Sequence, residues 1–401
     1  MSVAATRTGL APAREFPSLS ELCYLNTASI GLMPVAARFT AEQFERQLSL
    51  YGTTWFDERT EVAALDWARA AAGALLNVSP EQIAVTTSVT EALSQIAWSL
   101  RPAAGTNIVS IDLEFPSVVY PWMRVARETG AEVRLVRAAE RPQSLSLETL
   151  AEFVDEDTEV ICVSHVQYAT GHRFDLDGLA KLAEGHGAWL IVDGSQSAGA
   201  VPIDLSDNRV DAFLCAGYKW LCGPFGAAIC QVSPRLVERL DPHFVGWKST
   251  ADPYSMDASQ MGLAASPLAQ MEFSTMAYGA GVALAAAIEH VDEIGVEAIF
   301  AHNLELSAAL RRGLEELGAE IVTPAEDELR SSILTAGFPG LDGEQVAAWL
   351  NGSDVIVSPR FGSTRFSPHF FNTSDDVTLA LGVLERVLER REPVRSHRSS
   401  R

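Results

Sequence analysis

The sequence predicts an α/β fold built on a mostly parallel sheet with helices on both sides. Two observations lead to this prediction. Strand-like runs alternate with helical patterns through the first two thirds of the 401 residues, which is the order of parallel βαβ units. The runs are also almost continuously apolar, as strands buried on both faces are. We therefore expect a ligand site beyond the carboxyl ends of the strands.

The strand and helix predictions follow one another along the chain. QIAV (82–85) is followed by a helical stretch to Leu100, and NIVSIDL (107–113) by YPWMRVARETG. EVICVSHV (159–166) is followed by DLDGLAKLAEGHG, and WLIVDG (189–194) and DAFLCAG (211–217) complete the series. Each of these strands is short and apolar, and each is followed by a turn or an amphipathic pattern.

The pattern changes after Pro253. SMDASQMGLAASPLAQ has the composition of a surface loop, and a long helix is predicted over roughly 276–316. Short strands and helices then alternate to residue 390. We expect an N-terminal segment (1–30) that packs with the small domain, a large domain (31–265), a small C-terminal domain with a long linking helix (266–390) and a disordered tail (391–401).

Composition excludes several function classes. The chain has 52 acidic and 30 basic residues, for a net charge of −22, which disfavours binding to nucleic acid or to an anionic membrane. No run is long enough to span a membrane, and the first residues do not resemble a secretory signal. The five cysteines form no CxxC pair, so no metal site is predicted, and a reducing, cytoplasmic location is expected.

Lys219 is the leading catalytic candidate. It is one of three lysines in a chain whose other 27 basic residues are arginine. A partly buried lysine can have a lowered pKa and act as a nucleophile or a base. The alternative is an exposed lysine with a buried stem. The apolar run DAFLCAG before it and Trp220 after it favour the buried interpretation.

Two features after earlier strands could bind a flat, phosphorylated cofactor. Ser88 and Glu91 fit a capping box at the start of an amphipathic helix, where free N–H groups favour a phosphate, although a plain helix cap has the same pattern. Phe115 directly follows NIVSIDL. Its ring could cover the face of a cofactor or belong to the core, and local sequence does not decide between them.

Polar residues in two further segments are candidate ligand contacts. Asp193 ends an apolar strand, where a carboxylate is costly unless it is paired, and Gln196 follows it. Arg360 and Arg365 lie in SPRFGSTRFSPHFFNT and could bind a carboxylate with two parallel hydrogen bonds. Each feature has a structural alternative, namely a turn aspartate and a surface arginine.

In this order, the motifs resemble the class V branch of the fold-type I pyridoxal-phosphate enzymes. The resemblance runs from YLNTASIGLMP (24–34) through DGSQSAGAVPIDL and GYKWLCGPFG to RFSPHFFNT. The branch includes cysteine desulfurases, selenocysteine lyases, kynureninase and isopenicillin-N-epimerase-like proteins, and the last two motifs are most similar to the epimerase-like subgroup. It implies a large domain with a mostly parallel seven-stranded sheet between helices, and a smaller α+β C-terminal domain.

The resemblance also implies roles for individual residues. Lys219 would form the internal aldimine with pyridoxal 5′-phosphate and shuttle the Cα proton. Asp193 would pair with the pyridinium nitrogen, and Arg365, or failing it Arg360, would bind the substrate α-carboxylate. The remaining implied contacts are Val89, Thr90 and Tyr218 at the phosphate, Phe115 stacked on the ring, Gln196 at the ring hydroxyl, His165 near the cofactor, and Asn26 at the substrate entrance. Ser88, the predicted cap of the same helix start, is added to the cofactor-binding candidates. Thr275 matches a threonine that reaches the phosphate in the neighbouring subunit, which implies a homodimer with its site at the subunit interface.

Three departures from the desulfurase pattern bear on the reaction. No cysteine follows Cys230, so the loop before Arg365 lacks the catalytic thiol. Tyr168 replaces the asparagine of the HVSN-type segment, and Phe115 replaces the stacking histidine. We therefore expect β-elimination (C–S lyase chemistry) on a cysteine S-conjugate in specialised metabolism, such as antibiotic biosynthesis. The alternatives are a transaminase, a decarboxylating deaminase or an epimerase, or a non-catalytic binding protein with the same fold.

Overall fold

The structure, a computed structural model, describes residues 9–391. Its strands are β1 (Cys23–Tyr24), β2 (Ile83–Thr86), β3 (Asn107–Ile111), β4 (Glu132–Val136), β5 (Thr158–Ser164), β6 (Trp189–Asp193), β7 (Ala212–Ala216), β8 (Ala228–Val232), β9 (Glu320–Ile321), β10 (Leu334–Gly337), β11 (Val355–Ile356), β12 (Ser358–Arg360) and β13 (Ser363–Phe366). Its helices are α1 (Val35–Tyr51), α2 (Glu58–Leu76), α3 (Val89–Leu100), α4 (Pro116–Thr129), α5 (Leu147–Ala151), α6 (Leu176–His186), α7 (Pro234–Val237), α8 (Pro267–Met271), α9 (Tyr278–Ile294), α10 (Val296–Glu316), α11 (Gly343–Asn351) and α12 (Ser374–Arg390).

The seven-stranded sheet has the order β2-β8-β7-β6-β5-β3-β4. All neighbouring pairs are parallel except those of β8, which is antiparallel to both β2 and β7. The α/β prediction with a mostly parallel sheet is therefore confirmed. The sequence did not predict β4, whose residues are mostly exposed or half-buried at the sheet edge, or β8, whose residues are all buried.

The middle of the sheet is buried on both faces. In β5, Val160 and Cys162 pack in the core beneath α3 and α4. Ile161 and Val163 pack in the core on the opposite face, with residues of α2 and α9. Because alternate side chains of a strand point to opposite faces, two cores require the continuous apolar run from which these strands were predicted.

The predicted long helix over 276–316 is two helices. α9 ends at Ile294 and α10 begins at Val296, and Gly295 between them has φ +90°. A residue with positive φ cannot continue a right-handed helix, so the chain changes direction at this glycine.

The C-terminal part contains a small antiparallel sheet of order β12-β13-β10-β9. The N-terminal segment joins it, because β1 pairs in parallel with β11 and Asn26 forms a bridge with Ser367. This pairing carries the YLNTASIGLMP motif to the hairpin of β12 and β13.

The domain boundaries stay a prediction, and all of the predicted tail except Arg391 lies outside the described residues. Among the helices of residues 9–391, none combines the length and the apolarity needed to cross a bilayer.

Candidate active site

The predicted site residues of the large sheet lie along one edge. β2, β3, β5, β6 and β7 run in the same direction, so their carboxyl ends form that edge. Asp193 is the last residue of β6, and Ser88, Phe115, His165 and Lys219 follow the ends of the other four strands.

The turn that carries Lys219 is held by close backbone contacts. The Gly31 N–H donates to the Tyr218 carbonyl (2.8 Å), and a Cβ on Gly31 would lie 1.9 Å from the Lys219 carbonyl oxygen. Only glycine lets this segment approach so closely. On the other side, His369 Nε2 donates to the Trp220 carbonyl (2.9 Å). The motifs around positions 31 and 369 therefore fix the backbone on which Lys219 stands.

The Lys219 amine lies in a partly desolvated position between aromatic rings. Its Nζ is 5.5 Å from the centre of the Phe115 ring and 5.9 Å from that of Tyr218. Burial lowers the pKa of the amine to about 8; Asp193 opposes this shift, and the two arginines of the β12–β13 hairpin add to it. No carboxylate of the described chain forms an ion pair with it. An amine with this pKa is partly neutral near pH 8 and is available as a nucleophile and base.

The start of α3 can receive a phosphate. Ser88 Oγ accepts from the Glu91 N–H (3.1 Å), which confirms the predicted cap. The Glu91 carboxylate accepts from the Thr87 N–H (3.0 Å) rather than from Ser88, so the capping box is incomplete. Among the described residues, the N–H groups of Val89 and Thr90 have no acceptor. Together with the helix dipole they favour a bound anion.

Hydroxyl groups stand next to this helix start. Thr90 Oγ1 and Ser117 Oγ are 2.7 Å apart, and either can donate to the other. Ser117 belongs to the first turn of α4. The two helices thus present hydroxyls beside the free N–H groups of α3.

Asp193 is buried, with 6% of its surface exposed. Its Oδ1 accepts from the Ser195 N–H (2.8 Å), while no described residue donates to Oδ2. Oδ2 is not among the fully buried atoms that lack a partner, so a donor of a ligand can reach it. The His165 N–H donates to the Asp193 carbonyl (3.0 Å), and the His165 ring is buried with Nδ1 unpartnered among the described residues. Burial lowers the pKa of that ring to about 3, so it is neutral.

The Gln196 amide is already engaged at both ends. Its Oε1 accepts from the Trp220 indole N–H (2.7 Å), and its Nε2 donates to the Ala28 carbonyl (3.0 Å). The second hydrogen of Nε2 remains for a ligand. These bonds connect the segment after β6 to the residue that follows Lys219.

Two arginines of the β12–β13 hairpin, of which Arg365 is fully buried and Arg360 half-buried, converge on one hydroxyl. Arg365 is fully buried; its Nη1 donates to the Tyr168 carbonyl (2.8 Å) and its Nη2 to Ser29 Oγ (2.6 Å). Arg360 Nη2 reaches the same Ser29 oxygen at 3.4 Å. Ser358 lies directly opposite Arg365 in the hairpin and two residues from Arg360, so the three share one face.

Neither arginine forms an ion pair with an acid of the described chain, and both Nε atoms are buried without a partner there. Burial and the neighbouring Arg360 lower the pKa of Arg365 to about 9. Two desolvated cations without an acid form a site for an anion of the ligand. The structure thus rejects the surface interpretation of Arg365.

The remaining predicted residues differ in their environment. Asn26 Oδ1 accepts from Ser358 Oγ (2.8 Å), beside the arginine hairpin. The Tyr218 ring stacks on Phe225 at 4.4 Å. Thr275 is exposed, and it lines a depression of about 420 Å³ with Phe44 and other residues outside the predicted set. Within the chain, Thr275 is therefore not part of the Lys219 cluster.

Sequence reasoning missed Glu114, a buried acid between β3 and Phe115. Its carboxyl group accepts from the N–H and hydroxyl of Ser164 and from the Gln167 amide. Burial raises its pKa to about 7, against the effect of the Ser164 hydrogen bonds and with a contribution from Asp193. The available signal was a charged residue directly after an apolar strand, the same signal that identified Asp193.

All five cysteines are unpaired and buried. Burial raises the pKa of each affected thiol: that of Cys230 to about 12, and those of Cys162, Cys215 and Cys222 clearly above their usual range. A buried protonated thiol is a poor nucleophile. The arginine hairpin carries Phe361 at its tip, which is 65% exposed.

The donors and acceptors on this edge fit pyridoxal 5′-phosphate. The free N–H groups of α3 suit its phosphate, the vacant Asp193 oxygen suits a protonated ring nitrogen, and the Lys219 amine suits its aldehyde. Phe115 is 44% exposed and faces the amine, which suits a flat ring between them.

Comparisons with known proteins agree with this chemistry. Residues 55–377 match the sequence model of the family described as Aminotransferase class-V. An uncharacterized aminotransferase of Bacillus subtilis (strain 168) is 26% identical over 91% of this chain and 94% of its own length. Isopenicillin N epimerase of Streptomyces clavuligerus is 29% identical over 90% of this chain and 94% of its own length.

Solved structures show the same fold. A cystine C-S lyase, C-DES, in complex with its product cysteine persulfide superimposes with a TM-score of 0.85 at 23% identity, over 92% of this chain and 99% of the other. The cysteine desulfurase of Thermococcus onnurineus NA1 gives 0.85 at 22% identity, over 94% and 97%. The chain belongs to the class V aminotransferase family of pyridoxal-phosphate enzymes.

Proposed function

We propose that the protein is a lyase that cleaves the Cβ–S bond of a cysteine S-conjugate by β-elimination. One conjugate and one water give the free thiol, pyruvate and ammonium. The observation that supports this proposal is the position of the Lys219 amine, which lies opposite Phe115 and near Asp193 and the arginine pair. The bound cofactor supplies an electron-withdrawing ring that stabilises the negative charge left at Cα after proton removal.

Each cluster has a task in this proposal. Val89 and Thr90 hold the phosphate through their free N–H groups, and Asp193 keeps a proton on the ring nitrogen. Lys219 Nζ takes the Cα proton, because its lowered pKa leaves a neutral fraction near pH 8. The Phe115 ring, on the side of the cofactor opposite Lys219, limits the access of water to that side.

The arginine hairpin orients the substrate. Arg365 binds the α-carboxylate, since its guanidinium is rigidly held by Tyr168 and Ser29 and has no acid partner in the described chain. Arg360 is the second contact, on the same face and half-buried. The similarity to a cystine C-S lyase in fold supports cleavage of a carbon–sulfur bond.

A sulfur-delivery desulfurase is not proposed, although several relatives carry that description. That reaction needs an accessible thiolate to receive the sulfur. Here every cysteine is buried, and the hairpin before Arg365 carries Phe361 instead of a thiol.

We further propose a homodimer in the cytoplasm. Thr275 is exposed and away from its own chain's site residues, as a residue that reaches a neighbouring subunit would be. Phe225, 62% exposed, stacks on Tyr218 beside the site and offers apolar surface for a second copy.

The cytoplasmic location is supported by the five unpaired cysteines, which suit a reducing compartment. The similarity to isopenicillin N epimerase supports a role in specialised metabolism.

Epimerisation is the second candidate, supported by the same relative. It needs a proton donor on the face opposite Lys219. The Tyr168 ring packs edge-on against Phe115 at 5.7 Å, and burial raises the pKa of its phenol, which keeps the proton on. Transamination and decarboxylation remain alternatives that no specific contact favours.

The deciding experiment incubates the purified protein with S-ethyl-L-cysteine. We expect a yellow protein whose colour disappears on borohydride reduction, and equal amounts of pyruvate and ethanethiol. Pyridoxamine phosphate without thiol would support transamination, and solvent deuterium at Cα with loss of optical rotation would support epimerisation. A colourless protein after reconstitution with pyridoxal phosphate would contradict the enzyme proposal altogether.

A further inference from the structure

Glu114 and Phe115 form a double contact with Gln167 and Tyr168. Glu114 Oε1 accepts from Gln167 Nε2 (2.6 Å), and the Phe115 ring meets the Tyr168 ring at 5.7 Å with an interplanar angle of 86°. Two consecutive residues after β3 thus bind two consecutive residues after β5. We call this four-residue contact the clasp.

The clasp is anchored to the sheet. Glu114 Oε1 also accepts from the Ser164 N–H (2.8 Å), and the Ser164 hydroxyl donates to Oε2. Ser164 is the register partner of Asp193 in the neighbouring strand β6. The Glu114 carboxyl group therefore connects the ends of β3 and β5, next to Asp193 of β6, at the position where the cofactor ring is proposed to bind.

The clasp extends to the substrate side. Gln167 is followed by Tyr168, whose carbonyl accepts from Arg365 Nη1 (2.8 Å). The turn is closed by the Gln167 N–H to the His172 carbonyl and the Gly171 N–H to the Gln167 carbonyl, both 2.8 Å. The Gln167 side chain, which contacts Glu114, and the Tyr168 carbonyl, which accepts from Arg365, therefore belong to one closed turn.

The contacts indicate that Glu114 holds position rather than neutralises a charge. Within residues 9–391 no cation forms an ion pair with it, and all three of its donors are neutral. Phe115 is 44% exposed, so burial alone does not fix its ring. Burying an acid that has three donors but no counter-charge costs desolvation free energy, so packing alone does not account for an acid at this position.

We infer that Glu114 is a positioning residue, which through the clasp places both the Phe115 ring over the cofactor and Arg365 at the substrate carboxylate. The inference rests on the proposed function, since it assumes a ring at Phe115 and a carboxylate at Arg365. It does not depend on which bond of the substrate is broken.

Isosteric exchange gives a sharp test. In Glu114→Gln, the amide oxygen can keep both bonds of Oε1, and the amide nitrogen can donate to the Ser164 hydroxyl. We expect kcat and KM within about threefold of the wild type, because geometry is kept without the charge. In Glu114→Ala the clasp opens. We expect KM for S-ethyl-L-cysteine to rise about tenfold or more, since a displacement near 1 Å at a binding group can cost about 100-fold.

Exchanging the carboxyl group of Glu114 and the amide of Gln167 between the two positions distinguishes a positioning role from general destabilisation. Gln167→Glu places two carboxyl groups in contact and should raise KM and lower the unfolding midpoint. The double variant with Glu114→Gln again has one carboxyl group facing one amide, with the two positions exchanged. Its KM and its unfolding midpoint should both return towards the wild-type values. Gln167→Ala removes the same contact without touching the acid, and it replaces Glu114→Ala should that variant not fold.

The outcomes separate this inference from the proposed function. Wild-type colour and thiol release test the function. If the wild type has the colour and releases the thiol, a wild-type KM in Glu114→Ala or Gln167→Ala would contradict the positioning role. A double variant whose KM and unfolding midpoint equal those of Gln167→Glu would also contradict it. The unfolding midpoints of Gln167→Glu and of the double variant test the contact even if the protein does not turn over the substrate. A fall in kcat and a loss of cofactor colour with unchanged KM would also contradict it, because Arg365 would then be unaffected.

Discussion

Truncation of Arg365 gives the most direct test of the substrate site. Arg365→Ala removes a fully buried guanidinium that donates to Tyr168 and Ser29 and has no acid partner in the described chain. A substrate carboxylate at this position would lose its charged partner and remain desolvated. The phosphate site at α3 and the Lys219 turn are separate segments, so the cofactor should still bind.

The size of the effect follows from burial. Removing one partner of a buried, hydrogen-bonded charge pair costs roughly 2–5 kcal/mol, and because each 1.4 kcal/mol is about tenfold, KM should rise roughly thirtyfold to several thousandfold. The position is fully buried, so solvent screening does not reduce this range. The carbonyl of Tyr168 and the hydroxyl of Ser29 also lose a donor, which lowers the stability of the folded protein rather than the affinity for substrate.

The assay is the initial rate of pyruvate release from S-ethyl-L-cysteine over a range of concentrations. Cofactor absorbance is measured on the same samples as the control for an intact site. Arg365→Lys keeps the charge but not the two-pronged geometry, and it should give an intermediate KM. Arg360→Ala is the matched comparison on the same face and should have the smaller effect, since Arg360 is only half-buried.

One result would refute the reasoning. If Arg365→Ala kept the wild-type KM with full cofactor absorbance, the carboxylate would not bind there. A large effect in Arg360→Ala instead would transfer the site to that residue.

Three further predictions follow from the same edge of the sheet. Lys219→Ala should lose the borohydride-sensitive colour, and an unchanged visible spectrum would show that another amine holds the cofactor. Asp193→Asn keeps the Oδ1 contact with Ser195 but removes the charge, so cofactor should bind while turnover falls by at least about 100-fold; wild-type turnover would exclude its role at the ring nitrogen. Burial raises the pKa of Glu114 from the usual 4.5 to about 7, so its contribution to stability is fully present below about pH 4.5, where the folded and unfolded states are both protonated. That contribution, on the order of 3 kcal/mol, is lost as pH rises through 7. Urea unfolding from pH 5 to 8 should show this fall in the wild type and a flatter profile in Glu114→Gln, and equal slopes would contradict it.

Several elements could be predicted from the sequence because their signals are local. β5, β6 and β7 are continuous apolar runs, which burial on both sheet faces requires. The Ser88 cap lies within one helical turn of its partner. A lysine between a buried strand and Trp220 was identified by the cost of burying an amine, and its lowered pKa agrees with that.

The assembly of the site was decided by tertiary structure. Arg365 meets Ser29 across 336 positions and Gln196 meets Ala28 across 168, and no periodicity or cap within a short window encodes such a contact. Burial of Arg365, which distinguishes it from the other arginines among residues 9–391, becomes visible only when the N-terminal segment pairs with the hairpin. The sequence by itself determined the apolar strands and the amine at position 219, because those depend on neighbours along the chain. Which groups surround that amine depended on long-range packing, because the free energy that holds them together comes from contacts between distant segments.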